Sequence, residues 1–150
     1  MNQTVAEYWE TFRKKNQLKA SEPYEVFGFG MTPVVIDELA ELVVKDKKVG
    51  TTSAVSLYEH DEPMPYVGAL SIVLNSAEQP VAVIETTQVE KIRFDDVTPE
   101  HARLEGEGDL SLSYWRQVHK DIFESLFQSE LGRPFNGDEL VIFETFKRVF

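Results

Sequence analysis

From Thr51 to Phe94 the hydrophobic period of the chain is two, and no stretch within that span is long enough for a crossover helix. Residues 51–59, 67–75 and 80–94, rich in Val, Ile, Thr and Tyr, read as strands. Pro63 and Pro65 punctuate the first connection, and residues 75–80 make a hairpin-like second one. Parallel neighbours need a crossover of a dozen or more residues, so strands joined this directly require an antiparallel or mixed sheet.

Helical periodicity occupies the flanks. Val5, Tyr8, Trp9 and Phe12 share a face over residues 4–15, with Thr4 as N-cap, and are expected to pack on the sheet. A polar connector, residues 16–23, follows. Residues 26–30 alternate bulky side chains with glycine, as in an extended segment near a close backbone contact. Thr32-Pro33 opens a second helix, with Val35, Leu39 and Leu42 on its apolar face and Lys45 to Lys48 at its C-terminal end. Thr98-Pro99-Glu100 starts a third helix that Gly106 and Gly108 stop. A long helix over residues 112–131 turns Leu112, Trp115, Val118, Ile122 and Leu126 inward, and Gly132 and Pro134 end it. Asn136-Gly137 turns the chain into a last strand, residues 140–150. The order α, α, β, β, β, α, α, β predicts one α+β domain built as a small barrel.

Charge narrows the partners. Fifteen Lys plus Arg against 26 Asp plus Glu gives a net −11, which opposes the counterion release that drives non-specific duplex DNA binding. An uncharged ligand meets no such barrier. Without cysteine there are no disulfides, thiolate zinc sites or cysteine nucleophile. Apolar runs stop at four residues, as at Val81 to Ile84, so a membrane helix is not expected. Glu7 and Glu10 stand where a signal peptide would be apolar. The expectation is a soluble, cytoplasmic protein.

Three clusters carry chemistry-capable side chains. In Lys48-Val49-Gly50-Thr51-Thr52-Ser53 an ammonium lies three residues from a hydroxyl it could activate if burial lowered its pKa. The plainer reading is a solvated helix end followed by a strand. In Glu105-Gly106-Glu107-Gly108-Asp109 three carboxylates alternate with glycines. They suit a general acid or a hard divalent cation, or simply a solvated acidic loop. Tyr114, Arg116 and His119 follow on the long helix, where Arg116 and His119 share a face able to meet an anion or a carboxylate. Tyr114 and Trp115 read as packing residues. His60 reads as exposed, and His101 as a local cap. No phosphate-binding loop, dinucleotide fingerprint, zinc-protease or serine-hydrolase motif is present.

Taken in order, Lys47-Lys48-x-x-Thr51-Thr52-Ser53, Tyr66-Val67-Gly68, Pro80-x-x-x-Ile84-Glu85-Thr86-Thr87, EGEGD at 105–109, Ser113-Tyr114-Trp115-Arg116-x-x-His119 and Glu144-x-Phe146 resemble the ASCH (activating-signal-cointegrator homology) family. Within it they resemble a larger bacterial subfamily. The likeness runs from about residue 30 to the C-terminus. It implies a PUA-like β-barrel flanked by helices, with a cleft for RNA or nucleotides. Small bacterial members remove the acetyl group of N4-acetylcytidine with a lysine, a threonine and a glutamate, which match Lys48, Thr51 and Glu105 here. Their glycine and arginine are replaced by Asp46 and Ser53; Arg116 or Arg93 would have to replace the arginine. The resemblance therefore implies a nucleobase, nucleoside or single-stranded RNA ligand, with Ser53, Tyr114, Arg116 and His119 binding it, no cofactor, and N-acyl hydrolysis by Lys48, Thr51 and Glu105. Two alternatives stand beside it. One is a ribonuclease with Mg²⁺ or Mn²⁺ on Glu105, Glu107 and Asp109; the other is a binding module without turnover.

Overall fold

Four hydroxyl side chains set where the helices begin. Thr4, Thr32, Thr98 and Ser111 each accept a backbone N–H from the residue three further on, satisfying a donor that the first helical turn leaves free. Pro33 and Pro99 then occupy first-turn positions, where a missing N–H costs nothing. In the computed structural model, which describes residues 3–150, the helices are α1 (Val5–Lys15), α2 (Pro33–Val44), α3 (Pro99–Glu105) and α4 (Leu112–Leu126). The helix expected over 112–131 is regular only to Leu126; a π-helical turn, Phe127–Leu131, completes it before Gly132 enters the left-handed region.

Among the described residues five strands form one mixed sheet: β1 (Glu25–Phe27), β2 (Gly50–Ala54), β3 (Leu70–Leu74), β4 (Pro80–Arg93) and β5 (Leu140–Arg148). Their order is β1-β3-β4-β5-β2, antiparallel except for the parallel β1–β3 pair. A bulge between Thr86 and Gln88 bends the long β4. The result is a curled half-barrel with β1 and β2 as open edges, rather than a closed barrel. Two strands are shorter than their composition suggests. Residues 55–57 leave the expected 51–59 strand in a 3₁₀ turn, and Gly68, at positive φ, delays the expected 67–75 strand to Leu70.

The curl is filled from both sides. Trp9 and Phe12 of α1 pack on Leu70, Ile72 and Val83, with the C-terminal Phe150 against Tyr8 and Phe12. α1 therefore covers the sheet and does not close over the cleft. Leu39 and Val43 of α2 meet Val73, Ile84 and Phe146. Trp115, Phe123 and Phe127 join Phe94, Phe135 and Val141 on the other side. α2 and α4 are thus anchored to different parts of the sheet and leave the β2 edge between them uncovered by any strand.

Candidate functional site

The site is built where α3 ends against the start of β2. The Val49 N–H donates to the Leu104 carbonyl at 2.8 Å. Gly106 then turns the chain at φ +73°, in a space where a Cβ would lie 2.2 Å from the Lys47 carbonyl oxygen. Only glycine combines that backbone with that approach. The clasp puts Lys48 and Glu105, 57 residues apart in sequence, in direct contact.

Both side chains are buried, Lys48 to 1% exposure and Glu105 to 2%. Lys48 Nζ donates to Glu105 Oε1 at 2.9 Å, Glu107 Oε2 at 2.7 Å and the Gly50 carbonyl at 2.9 Å. An ammonium has three N–H groups, so all three are engaged. Glu105 Oε2 accepts from Thr52 Oγ1 and Trp115 Nε1, each at 2.7 Å, and lies 3.2 Å from His119 Nε2. His119 Nδ1 donates to the Trp115 carbonyl at 2.9 Å, and its ring stacks on the Trp115 indole. Every polar side-chain atom buried among the described residues has a partner.

Protonation follows from these contacts. Burial pushes the Glu105 carboxyl up, but the Lys48 ammonium and the His119 and Thr52 hydrogen bonds outweigh it and hold the group far below the usual carboxylate range. Burial likewise works to lower Lys48, and Glu105 and Glu107 overcome it, raising Lys48 above its ordinary value. The pair is an ammonium and a carboxylate. This reverses the condition under which lysine was expected to act as a base, and it leaves Glu105 no proton to give as an acid. Nor are Lys48 and Glu105 the solvated groups of the plainer reading.

This network floors a cavity of about 650 Å³ along the free edge of β2. Val35 and Leu39 of α2 face Val118 and Ile122 of α4 across it, with Tyr114 and Phe29 as aromatic lining. The remaining candidates divide. Tyr114 and His119 line the cavity, as does Ser53, whose hydroxyl meets Tyr58 OH at 2.8 Å. Thr51 also lines it, but successive strand residues face opposite ways, so Thr52 reaches Glu105 while Thr51 stands opposite Glu144 on the other face. Arg116 belongs elsewhere: its guanidinium donates to the Phe94, Asp95 and Val97 carbonyls. Arg93 is engaged with Asp95, Asp96 and Asp138. Neither supplies the missing arginine. The cation set does not assemble either, because Lys48 lies between Glu105 and Glu107 while Asp109 accepts from the Ser111 N–H. Among the described residues no group of three His, Asp or Glu side chains is placed to hold a metal. His101 completes the capping box of α3, as expected of a local cap.

Sequence reasoning missed Thr52 and the polar role of Trp115. Period two on β2 already groups Thr52 with Gly50 and Ala54 against Thr51 and Ser53; which face meets Glu105 is a tertiary fact.

The profile of the ASCH domain matches residues 25–150. The chain belongs to the ASCH domain family. An ASCH domain from Lactobacillus crispatus JV V101 is similar in structure at TM-score 0.83 and 29% identity, over 93% of this chain and 92% of that one. Protein EF3133 from Enterococcus faecalis V583 reaches TM-score 0.87 at 30% identity, over 97% and 92%. A hypothetical protein, PH0355, shares only the fold, at TM-score 0.54 and 11% identity, over 85% of this chain and all of that one. No curated protein sequence matches the chain. ASCH domains generally bind RNA and adopt a PUA-like fold, consistent with the half-barrel and its cleft. No described helix is long and apolar enough to cross a membrane.

Proposed function

We propose that the cleft along β2 binds an uncharged nucleobase or nucleoside, free or presented by single-stranded RNA. One observation carries this: among the described residues Lys48 is the only lysine or arginine lining the cavity, and its three N–H groups already serve Glu105, Glu107 and Gly50. A phosphate entering there would find no free cation and would meet Glu38, Glu62 and Glu107. A base has what the walls ask for, a flat apolar face and a polar edge. The edge strand adds to this. The Val49 carbonyl accepts from Phe146 of β5, and the Gly50 carbonyl turns away to Lys48. By alternation the Thr52 N–H and C=O face the cavity, a donor and an acceptor side by side on an unpaired edge. Isothermal titration with cytidine and its 5′-monophosphate tests the reading. Cytidine is expected to bind more tightly, and a preference for the monophosphate overturns it.

A hydrolytic reading rests on Glu107. It lines the cavity beside the β2 hydroxyls, with one oxygen on Lys48. In removal of an N-acyl group from a modified cytidine, Glu107 would take a proton from an attacking water and return it to the cytosine amine as the C–N bond breaks, releasing the acid and cytidine. Mass-spectrometric assay of cytidine release from N4-acetylcytidine, with EDTA present, decides it. Release that disappears in Glu107→Gln supports this reading, and its absence from folded protein leaves binding alone.

A further inference from the structure

The other face of β2 looks into a second cavity, of about 500 Å³. Phe29, Thr51, Ser53, Tyr58 and Glu62 stand between the two and line both. Aromatic rings stand in its walls, among them Tyr24, Tyr66 and Phe146. Its polar lining is acidic: Glu25 on the β1 edge, Glu62 in the β2–β3 connection and Glu144 on β5. No Lys, Arg or His among the described residues lines it.

Glu144 is the deepest of the three. It has one hydrogen bond, from Thr86 Oγ1 at 3.3 Å, and no ion pair among the described residues. Burial, and then the charge of Glu25, raise its carboxyl above the ordinary value, while Thr86 works the other way. Burial also raises Tyr58, whose phenol senses Glu144, Glu62 and Glu25 together. The contrast with the first cavity is direct. There Glu105 and Glu107 contact Lys48; here a half-buried carboxylate lies among aromatic rings with no cation among the described lining residues.

Such a carboxylate is costly to keep charged unless a cation comes to it. Ring faces attract cations as well, most of all where water is excluded. An anion would be repelled by three carboxylates, and a neutral ligand would gain only ring contacts.

We propose that this second cavity is a binding site for an organic ammonium ion, its charged nitrogen against Glu144 and its hydrocarbon part against Tyr24, Tyr58 and Tyr66. The site is separate from the nucleoside cleft, and its volume is in the range of small-ligand pockets.

The test compares benzylamine with benzyl alcohol, matched in shape and different in charge, by NMR titration of the full chain at neutral pH. Tyr24 and Tyr66 line only the second cavity and serve as reporters. Benzylamine is expected to shift both resonances and to bind about tenfold more tightly than the alcohol. In Glu144→Gln its affinity should fall to that of the alcohol, while cytidine affinity, read separately, stays unchanged. Equal affinities for amine and alcohol in the wild-type protein overturn the proposal, as does an amine affinity indifferent to Glu144→Gln. The wild-type comparison stands alone should the variant fail to fold. Failure of cytidine to bind would refute the nucleoside reading and leave this result untouched.

Discussion

Replacing Lys48 with methionine keeps a long apolar stem and deletes only the ammonium at the centre of the site. Glu105 stays 2% exposed and loses the partner of Oε1, while Glu107 and the Gly50 carbonyl lose their donor. Breaking a buried ion pair from one side costs about 3–5 kcal/mol. Thr52, Trp115 and His119 still hold Oε2, which places the charge penalty near the lower bound, about 3 kcal/mol. The orphaned carbonyl adds about 1 kcal/mol. For a chain of this length the sum of about 4 kcal/mol lowers Tm by about 8–16 °C. Urea unfolding of Lys48→Met, Glu105→Gln and the double variant measures this. Because the charge penalty vanishes once Glu105 is neutral, the double variant should be more stable than the sum of the single losses predicts, by about 2 kcal/mol or more. A single-variant loss below about 1 kcal/mol, or simple additivity, would refute the buried ammonium–carboxylate assignment.

Three further outcomes follow from the same geometry. Unfolded Glu105 takes up its proton near the ordinary 4.5 and folded Glu105 only at far lower pH, while unfolded Lys48 loses its proton near 10.5 and the folded group later. The pair's stabilisation should therefore be level between about pH 6 and 9 and be lost on both sides, as chemical denaturation across pH will show. Gly106 and Gly132 share a left-handed φ, but an added Cβ meets the Lys47 carbonyl at the first and open space at the second. Gly132→Ala should cost about 1 kcal/mol, and Gly106→Ala distinctly more together with loss of cytidine binding; equal thermal shifts would contradict the clasp. The raised carboxyl of Glu144 means that its charge opposes folding as pH rises through its folded value, so Glu144→Gln should raise stability at neutral pH in thermal melts and lose that advantage in acid.

Much of the architecture was legible locally. Thr32-Pro33 and Thr98-Pro99 mark helix starts through hydrogen bonds made within three residues, so no distant contact is needed to read them. Strand ends were less legible. Residues 55–59 have strand composition, but they leave the sheet in a 3₁₀ turn that carries Tyr58 to Ser53. Arg116 shows the limit of reading a helix face: its spacing pairs it with His119, yet its guanidinium serves the carbonyls of residues 94–97.

Sequence by itself determined the order of the helices and of strands β2 to β5, an antiparallel or mixed sheet, and the membership of Lys48 and Glu105 in one candidate site, because periodicity, caps, glycines and motif order are written along the chain. The short β1, whose parallel pairing makes the sheet mixed, was not among the strands read from it. Only the tertiary structure decided what those residues are. Protonation depends on burial and on partners far away in sequence: Lys48 is an ammonium because two carboxylates meet it, and Glu105 a carboxylate because Lys48, Thr52 and Trp115 all donate to it. The pairing of β2 with β5 decided in the same way that Thr52 reaches Glu105, while Thr51 turns to the opposite face, across from Glu144.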